Sequence, residues 1–412
     1  MILRVPDYYE NFQCTASFCK DSCCIGWEIN IDEDTHAFYA NTKGEFGNRL
    51  REHMYQNEDG EFSFRLGKKG RCPFLNSANL CDICIHMGEE ALSEVCTEYP
   101  RFSLWYEDVL QKCLSLSCEE VGRMLFSKET PVMFIEMELE ESESFETYEG
   151  IGFEEGESDE AYEGIDFDER KSYEVYEGIE FAKRESDEIY EDINFEKNII
   201  WENIQEKKLF FEQIQTNVIV ILQNRSISIE ERIQQYLLYL TEKQEEINAT
   251  QQYENNKGIC SLLTPNYEQF LNRFTIFEEL ETLDEEWETV KKELHSYLTK
   301  ETYDSFYQRF LESDSYCEND YEQLMVYFTF RYFMNSYYNM DILSYGKLAV
   351  VFTLMIKDMD IVRFIKNDDV FSRADRIDTV RIFSKEVEHS EENVEYVREE
   401  LMFMNGEYEM YI

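Results

Sequence analysis

The chain has 412 residues, 88 acidic against 39 basic side chains, a formal net charge of -49 and 43% hydrophobic content. Such a charge repels the phosphate backbone that a nucleic-acid binder must neutralise, so DNA and RNA are not expected as partners. No apolar run approaches the roughly 20 residues of a membrane span, and Met1 to Cys19 lack the charged-then-apolar order of a signal peptide, so the expectation is a cytoplasmic protein that touches no membrane.

In chain order, residues 1–127 read as a cysteine-rich domain of short elements. Ile2-Leu3-Arg4-Val5 forms a short strand, and Trp27 to Asp32 and Glu61 to Leu66 alternate at the strand period. Asp34 is placed to cap a short helix through Tyr39. A helix between Gly88 and Tyr99 carries Cys96 inward and stops at Pro100, and another starts near Glu119-Glu120, where acids suit the helix dipole.

Residues 128–197 change composition. Tyr148, Tyr162, Tyr176 and Tyr190 open copies of a fourteen-residue repeat (Tyr-Glu-Gly-Ile-Gly-Phe in the first) set in a strongly acidic background. The charge and glycine leave little to form a core, so a solvated insertion is the plain reading; a solenoid of stacked aromatics is the sharper alternative, and an acidic docking arm is a third. Residues 198–412 are helical. Ile199 to Val218 and Ile233 to Leu240 carry amphipathic stripes, Trp287 to Leu298 and Tyr303 to Leu311 follow, and Tyr321 to Tyr338 and Leu343 to Ile356 are apolar nearly all round, as buried bundle helices are. The last helix runs from Glu391 to Met404. The fold class is therefore mainly α with minor β: a Cys-rich metal domain, an acidic insertion and an all-helical bundle.

Ten of the twelve cysteines lie before residue 119, and Cys14, Cys19, Cys23 and Cys24 fall within eleven residues. In a reducing cytosol grouped thiols favour metal or Fe–S ligation over disulfides. Adjacent Cys23 and Cys24 cannot easily face one ion, which leaves room for two centres; Cys72, Cys81, Cys84, Cys96, Cys113 and Cys118 supply the remaining sulfurs. Four-thiolate shells suit zinc and a [4Fe-4S] cluster equally. No phosphate-binding or dinucleotide glycine motif occurs, nor the C-x3-C-x2-C of a radical S-adenosylmethionine enzyme. His86 is more plainly a surface or core histidine than a ligand. Asp21 is placed to cap a turn or tune the thiols. Arg331 interrupts an apolar helix and needs an anion, structural or on a ligand; Arg101 suits an internal salt bridge or a cofactor carboxylate; and Glu388, His389 and Asn393 group as a polar surface helix start or as candidates for handling a proton.

At Cys14 to Trp27, Cys72-Pro73-Phe74-Leu75 through Cys81, Gly88 to Leu92, Cys96 through Tyr99-Pro100-Arg101, Leu116-Ser117-Cys118, Tyr327 to Tyr332, and Glu388-His389-Ser390 with Asn393, the chain resembles the flagellin lysine N-methylase family, which carries the cysteine cluster of a broader zinc- or iron-chelating family. The resemblance implies methyl transfer from S-adenosylmethionine to lysines of flagellin, with an Fe–S cluster, or zinc in its place, in the N-terminal domain. It carries over as ligands Cys14, Cys19, Cys23, Cys24, Cys72, Cys81, Cys96 and Cys118, and leaves out Cys84, Cys113, Cys260 and Cys317. The fourteen-residue repeat departs from the family. Glu388 and His389 are the candidate catalytic pair, and Arg101 and Arg331 the candidate cofactor contacts. The reading set against it is a zinc- or iron-binding, cluster-carrying protein without catalysis.

Overall fold

A computed structural model describes residues 1–57, 60–139, 201, 203–251 and 266–403; the fourteen-residue repeat and Cys260 lie outside the described residues. Met1–Glu138 and the described residues from 201 onward form one compact unit, so the segments flanking the insertion fold together.

Two sheets and five short helices make up the N-terminal segment. Strand β1 (Ile2–Pro6) is followed by β2 (Asn30–Ile31), α1 (Glu33–Asn41), α2 (Gly44–His53), β3 (Met54–Gln56), β4 (Phe62–Phe64), α3 (Asp82–Met87), α4 (Glu94–Glu98), β5 (Arg101–Tyr106), β6 (Val109–Leu114), α5 (Glu119–Phe126) and β7 (Phe134–Glu138). Two expectations are corrected here. Asp32, not Asp34, caps α1 by accepting the Thr35 amide at 2.9 Å. The expected helix from Gly88 to Tyr99 is reduced to the five residues of α4, because Gly88 adopts a φ of 94° and a tight turn at Glu89–Ala91 precedes Ser93. The hairpin β5–β6 was not expected, although Phe102, Leu104 and Tyr106 alternate; two acids, Glu107 and Asp108, make its turn.

The strands sort into sheets of order β5-β6-β1-β7 and β2-β4-β3, with β1 parallel to β6 and antiparallel to β7. They belong to different cores. The three-stranded sheet, α1 and α2 surround a small core built on Tyr39, Leu50, Phe64 and Phe74, against which Cys24, Cys81 and Cys96 pack. The four-stranded sheet instead joins the large core of the helices through Leu104, Tyr106, Val109 and Leu114.

The C-terminal segment comprises α6 (Ile204–Leu222), α7 (Ile229–Gln251), α8 (Tyr267–Glu278), α9 (Glu285–Tyr297), α10 (Tyr303–Leu311), α11 (Glu318–Tyr332), α12 (Ser336–Asn339), α13 (Ile342–Lys366), α14 (Arg373–Phe383) and α15 (Glu391–Phe403). Helix α13 is the axis of the bundle, buried from Ser344 to Val362 on every face. A helix so placed must neutralise any charge it carries. Asp358 accepts from Arg273 at 2.6 Å and from Tyr303 at 3.0 Å, Asp360 accepts from Tyr321 at 2.9 Å and is clasped by Arg376, and Lys357 donates to Tyr307 at 2.7 Å and Glu230 at 3.1 Å. Among the described residues no helix is long and apolar enough to cross a membrane.

Candidate functional site

The thiols fold into two neighbourhoods. One lies in the small lobe: the Cys72 amide donates to the Cys24 carbonyl at 2.8 Å, Cys81 sits on an isolated bridge to Leu75, and Cys96 rides on α4. Cys72 and Cys96 are each pushed up to about 12, first by burial and then by the charges of Cys24 and Cys81, with Cys96 adding to the rise of Cys72 and Asp32 to that of Cys96. The other lies on the helical body, where Cys118 precedes α5 and is pushed up to about 12 by burial and by Cys19 and Cys14. Cys23 and Cys24 bridge the groups with sulfurs 4.0 Å apart, and their shared hydrogen bond raises Cys23 and lowers Cys24. Cys84, outside the expected set, faces Cys81, and burial with that neighbour raises its pKa. Cys113 is buried beside Arg331, away from both groups, and Cys317 precedes α11.

All described cysteines are free thiols. Among the described residues no three His, Cys, Asp or Glu side chains already meet as a ready ligand set. The donor chemistry nonetheless suits a cation: soft sulfurs whose ionisation is opposed by burial and by one another are what a thiophilic ion relieves. His86 is an exposed surface histidine that packs one side on Phe46, 4.7 Å between ring centroids.

The cysteine loop is tied down by charge. Asp21 accepts from Arg381 at 2.7 Å and from Lys385 at 3.0 Å, its own amide donates to Glu119 at 2.8 Å, and Lys20 reaches Asp378 at 2.9 Å. Asp21 therefore anchors the loop to α14 and the turn beyond it. Gly26, at φ +93°, permits the close pass of Lys385, whose Cε and Nζ would lie 3.1 Å from a Cβ. Trp27 then folds back, donating its indole N–H to the Cys23 carbonyl at 2.6 Å.

That fold-back places Trp27 against His389, with ring centroids 6.2 Å apart; Tyr99 lies 5.9 Å and Phe102 5.6 Å from the same imidazole. His389 follows a wide helical turn at Ser384–Glu388 and sits at φ -91°, ψ 2°, in the sparsely populated bridge region. Its Nε2 is 2.7 Å from the Ser117 hydroxyl and 3.2 Å from that of Ser115, and Ser117 in turn lies 3.1 Å from the Tyr99 hydroxyl. Burial, and then the charges of Arg331 and Lys385, hold the imidazole down to about 3, so the ring is neutral.

Glu388 points the other way. Its carboxylate carries no exposed surface, pairs with Arg331 Nε at 2.9 Å, and accepts from Tyr327 at 3.1 Å and Tyr332 at 3.0 Å. Arg331 thus finds its anion inside the protein, and its guanidinium covers the Phe102 ring. Arg101, half-buried at the start of β5, lies over Phe12 and reaches the Thr97 carbonyl at 3.5 Å. Asn393 is taken up by the backbone of Glu281 and Glu386 rather than by His389. Tyr99 and Ser117 stand in the sequence only as motif positions and Ser115 and Phe102 carry no signal there; serine and aromatic residues are too common for their type to assign a role, and their grouping is tertiary.

Residues 215–411, which include Arg331, Glu388 and His389, match the FliB lysine N-methylase C-terminal domain. A flagellar biosynthetic protein, FliU of Salmonella muenchen, is 31% identical over 121 residues that cover 28% of this chain and 72% of that protein. The chain belongs to the FliB lysine N-methylase family. This is the family that the cysteine and C-terminal motifs resemble. The lysine-N-methylases of Salmonella choleraesuis and Salmonella typhimurium share the same 31% identity over 121 residues, a stretch that spans 30% of the length of each. No solved structure matches the chain.

Proposed function

We propose that the chain is a protein-lysine N-methyltransferase that takes its methyl group from S-adenosylmethionine and acts on lysines of flagellin in the cytoplasm. The observation that carries this reading is the union of the methylase-family helical segment, through His389, with Ser117 beside the thiols of the N-terminal segment. Methyl transfer needs an uncharged amine and in-line approach to a sulfonium carbon. The amine lone pair forms the N–C bond as the C–S bond breaks, the electron pair stays on sulfur as a neutral thioether, and the methylated ammonium later sheds its proton.

Each side chain takes a part its surroundings allow. His389 is neutral and partly accessible, and so is the group that faces the amine; Glu388, enclosed by Arg331, Tyr327 and Tyr332, fixes the backbone of the turn instead. Of the two arginines, Arg331 is committed to Glu388, which leaves Arg101 to offer its guanidinium to the donor's carboxylate. Cys24, Cys72, Cys81 and Cys96 would hold one metal centre and Cys14, Cys19, Cys23 and Cys118 a second. When bound, a [4Fe-4S] cluster or zinc would supply cross-linking of these short elements beside the site. The formal net charge of -49 favours encounter with a lysine-rich partner.

The test is anaerobic purification with iron, zinc and sulfide analysis, then incubation with methyl-labelled S-adenosylmethionine and flagellin. Label on flagellin lysines is expected. Metal-loaded protein that leaves flagellin unlabelled overturns the reading in favour of a metal- or cluster-carrying protein.

A further inference from the structure

The three rings around His389 are drawn from distant parts of the chain. Trp27 comes from the cysteine loop, Tyr99 from the end of α4 and Phe102 from β5; Trp27 and Tyr99 are themselves 6.1 Å apart. All three, and His389, are half-buried and keep part of their surface accessible. The imidazole and the Ser117 hydroxyl among them are uncharged, the carboxylate of Glu388 is turned inward to Arg331, and that of Asp21 is held by Arg381 and Lys385. Trp27 is held in place by its own bond to the Cys23 carbonyl, and the Arg331 guanidinium lies over the Phe102 ring.

Aromatic faces receive the methylene stem and amine of a lysine side chain, while uncharged hydrogen-bonding partners suit an amine rather than an ammonium. A carboxylate at this position would do the opposite and hold the proton on nitrogen. We infer that Trp27, Tyr99 and Phe102 form the lysine-binding subsite of the enzyme, with His389 and Ser117 as the pair that meets the substrate nitrogen. The inference rests on the methyltransferase reading above.

In this subsite the ammonium loses its proton to water as the side chain leaves solvent, and His389 then accepts a hydrogen bond from the NH2 group and directs its lone pair. The same burial that keeps the imidazole uncharged disfavours a second cation beside it. Trp27 acts on binding, His389 on the transfer step.

The experiment uses the full chain, metal-loaded, with flagellin and labelled S-adenosylmethionine as substrates, and compares wild type with Trp27→Ala, Trp27→Phe and His389→Asn. Trp27→Ala is expected to raise the KM for flagellin on the order of tenfold with the KM for S-adenosylmethionine unmoved, and Trp27→Phe to restore it. His389→Asn is expected to lower kcat on the order of 100-fold, with the KM for flagellin little changed. Should His389→Asn fail to fold at the assay temperature, the Trp27 pair decides alone, because the half-exposed indole can be removed without opening the core. A wild type that methylates while Trp27→Ala keeps its KM for flagellin overturns the subsite and leaves the function standing. A wild type that does not methylate overturns the function; quenching of Trp27 fluorescence by Nα-acetyl-lysine amide, absent in Trp27→Phe, then upholds the subsite, and no Trp27-dependent quenching removes it too.

Discussion

Arg331 and Glu388 show how much one buried pair carries. With side chains 7% and 0% exposed, neither ion can be left without the other, and two tyrosine hydroxyls complete the carboxylate's shell. Arg331→Met is expected to cost about 3–5 kcal/mol, as for other broken buried pairs, measured by urea unfolding; replacing both partners with apolar residues should cost less. His389 sets a pH limb. Its folded pKa, about 3, lies below the ordinary 6.5, so its contribution is present above pH 6.5 and is lost as pH falls toward 3. Urea midpoints at pH 7, 5 and 4 should fall in that order, and His389→Gln should flatten the fall. The sequence singled out Glu388 and His389 together, but adjacent residues on a turn face different ways, and only the fold assigns one to the interior and the other to Ser117.

At the scale of elements, helix α13 was legible and its charges were not. A run apolar on all faces reads as a buried helix whatever surrounds it, whereas Lys357, Asp358 and Asp360 acquire partners on α7, α8, α10, α11 and α14 only when those helices meet. Gly346 marks the tightest approach: a Cβ there would sit 2.2 Å from Leu240 Cδ1, in a core where Leu240 is fully buried. Gly346→Val should therefore destabilise by about 2–3 kcal/mol through overpacking, measured as a lowered thermal midpoint. Helix α14 holds the cysteine loop through Arg381, which serves Asp21, Asp378 and Glu286 at once. Removing it in Arg381→Met leaves Asp21 to Lys385 and Asp378 to Lys20 and Arg363, with no side chain joining the acids, and faster amide exchange in residues 19–27 is the expected signature. Helix α4 is shorter than its helical spacing suggests because Gly88 and the turn before Ser93 redirect the chain, and β2 keeps only Asn30 and Ile31 of the alternating stretch from Trp27 to Asp32.

For the molecule as a whole, the division of labour between two cores decides what metal binding would stabilise. The small lobe has little apolar mass and places four thiols around it, a combination that usually needs a staple. Cys72→Ser is expected to lower metal content and to speed amide exchange across residues 29–98, while Cys118→Ser should leave that lobe protected; metal analysis with exchange mass spectrometry checks both. The N-terminal segment does not separate cleanly from the helices, since its four-stranded sheet shares their core and its loop is tied to them by Lys20 and Asp21.

Sequence by itself determined the family, the helical character of the second half and the density of thiols in the first, because these are properties of spacing and residue type along one dimension. Tertiary structure alone decided which thiols share a neighbourhood, that Glu388 is enclosed by Arg331 and the tyrosines, and that Trp27, Tyr99, Phe102 and Ser117 gather on His389. Those outcomes depend on how helices cross and where a loop is anchored by charge, and burial and contact between residues hundreds of positions apart leave no periodic trace in the chain.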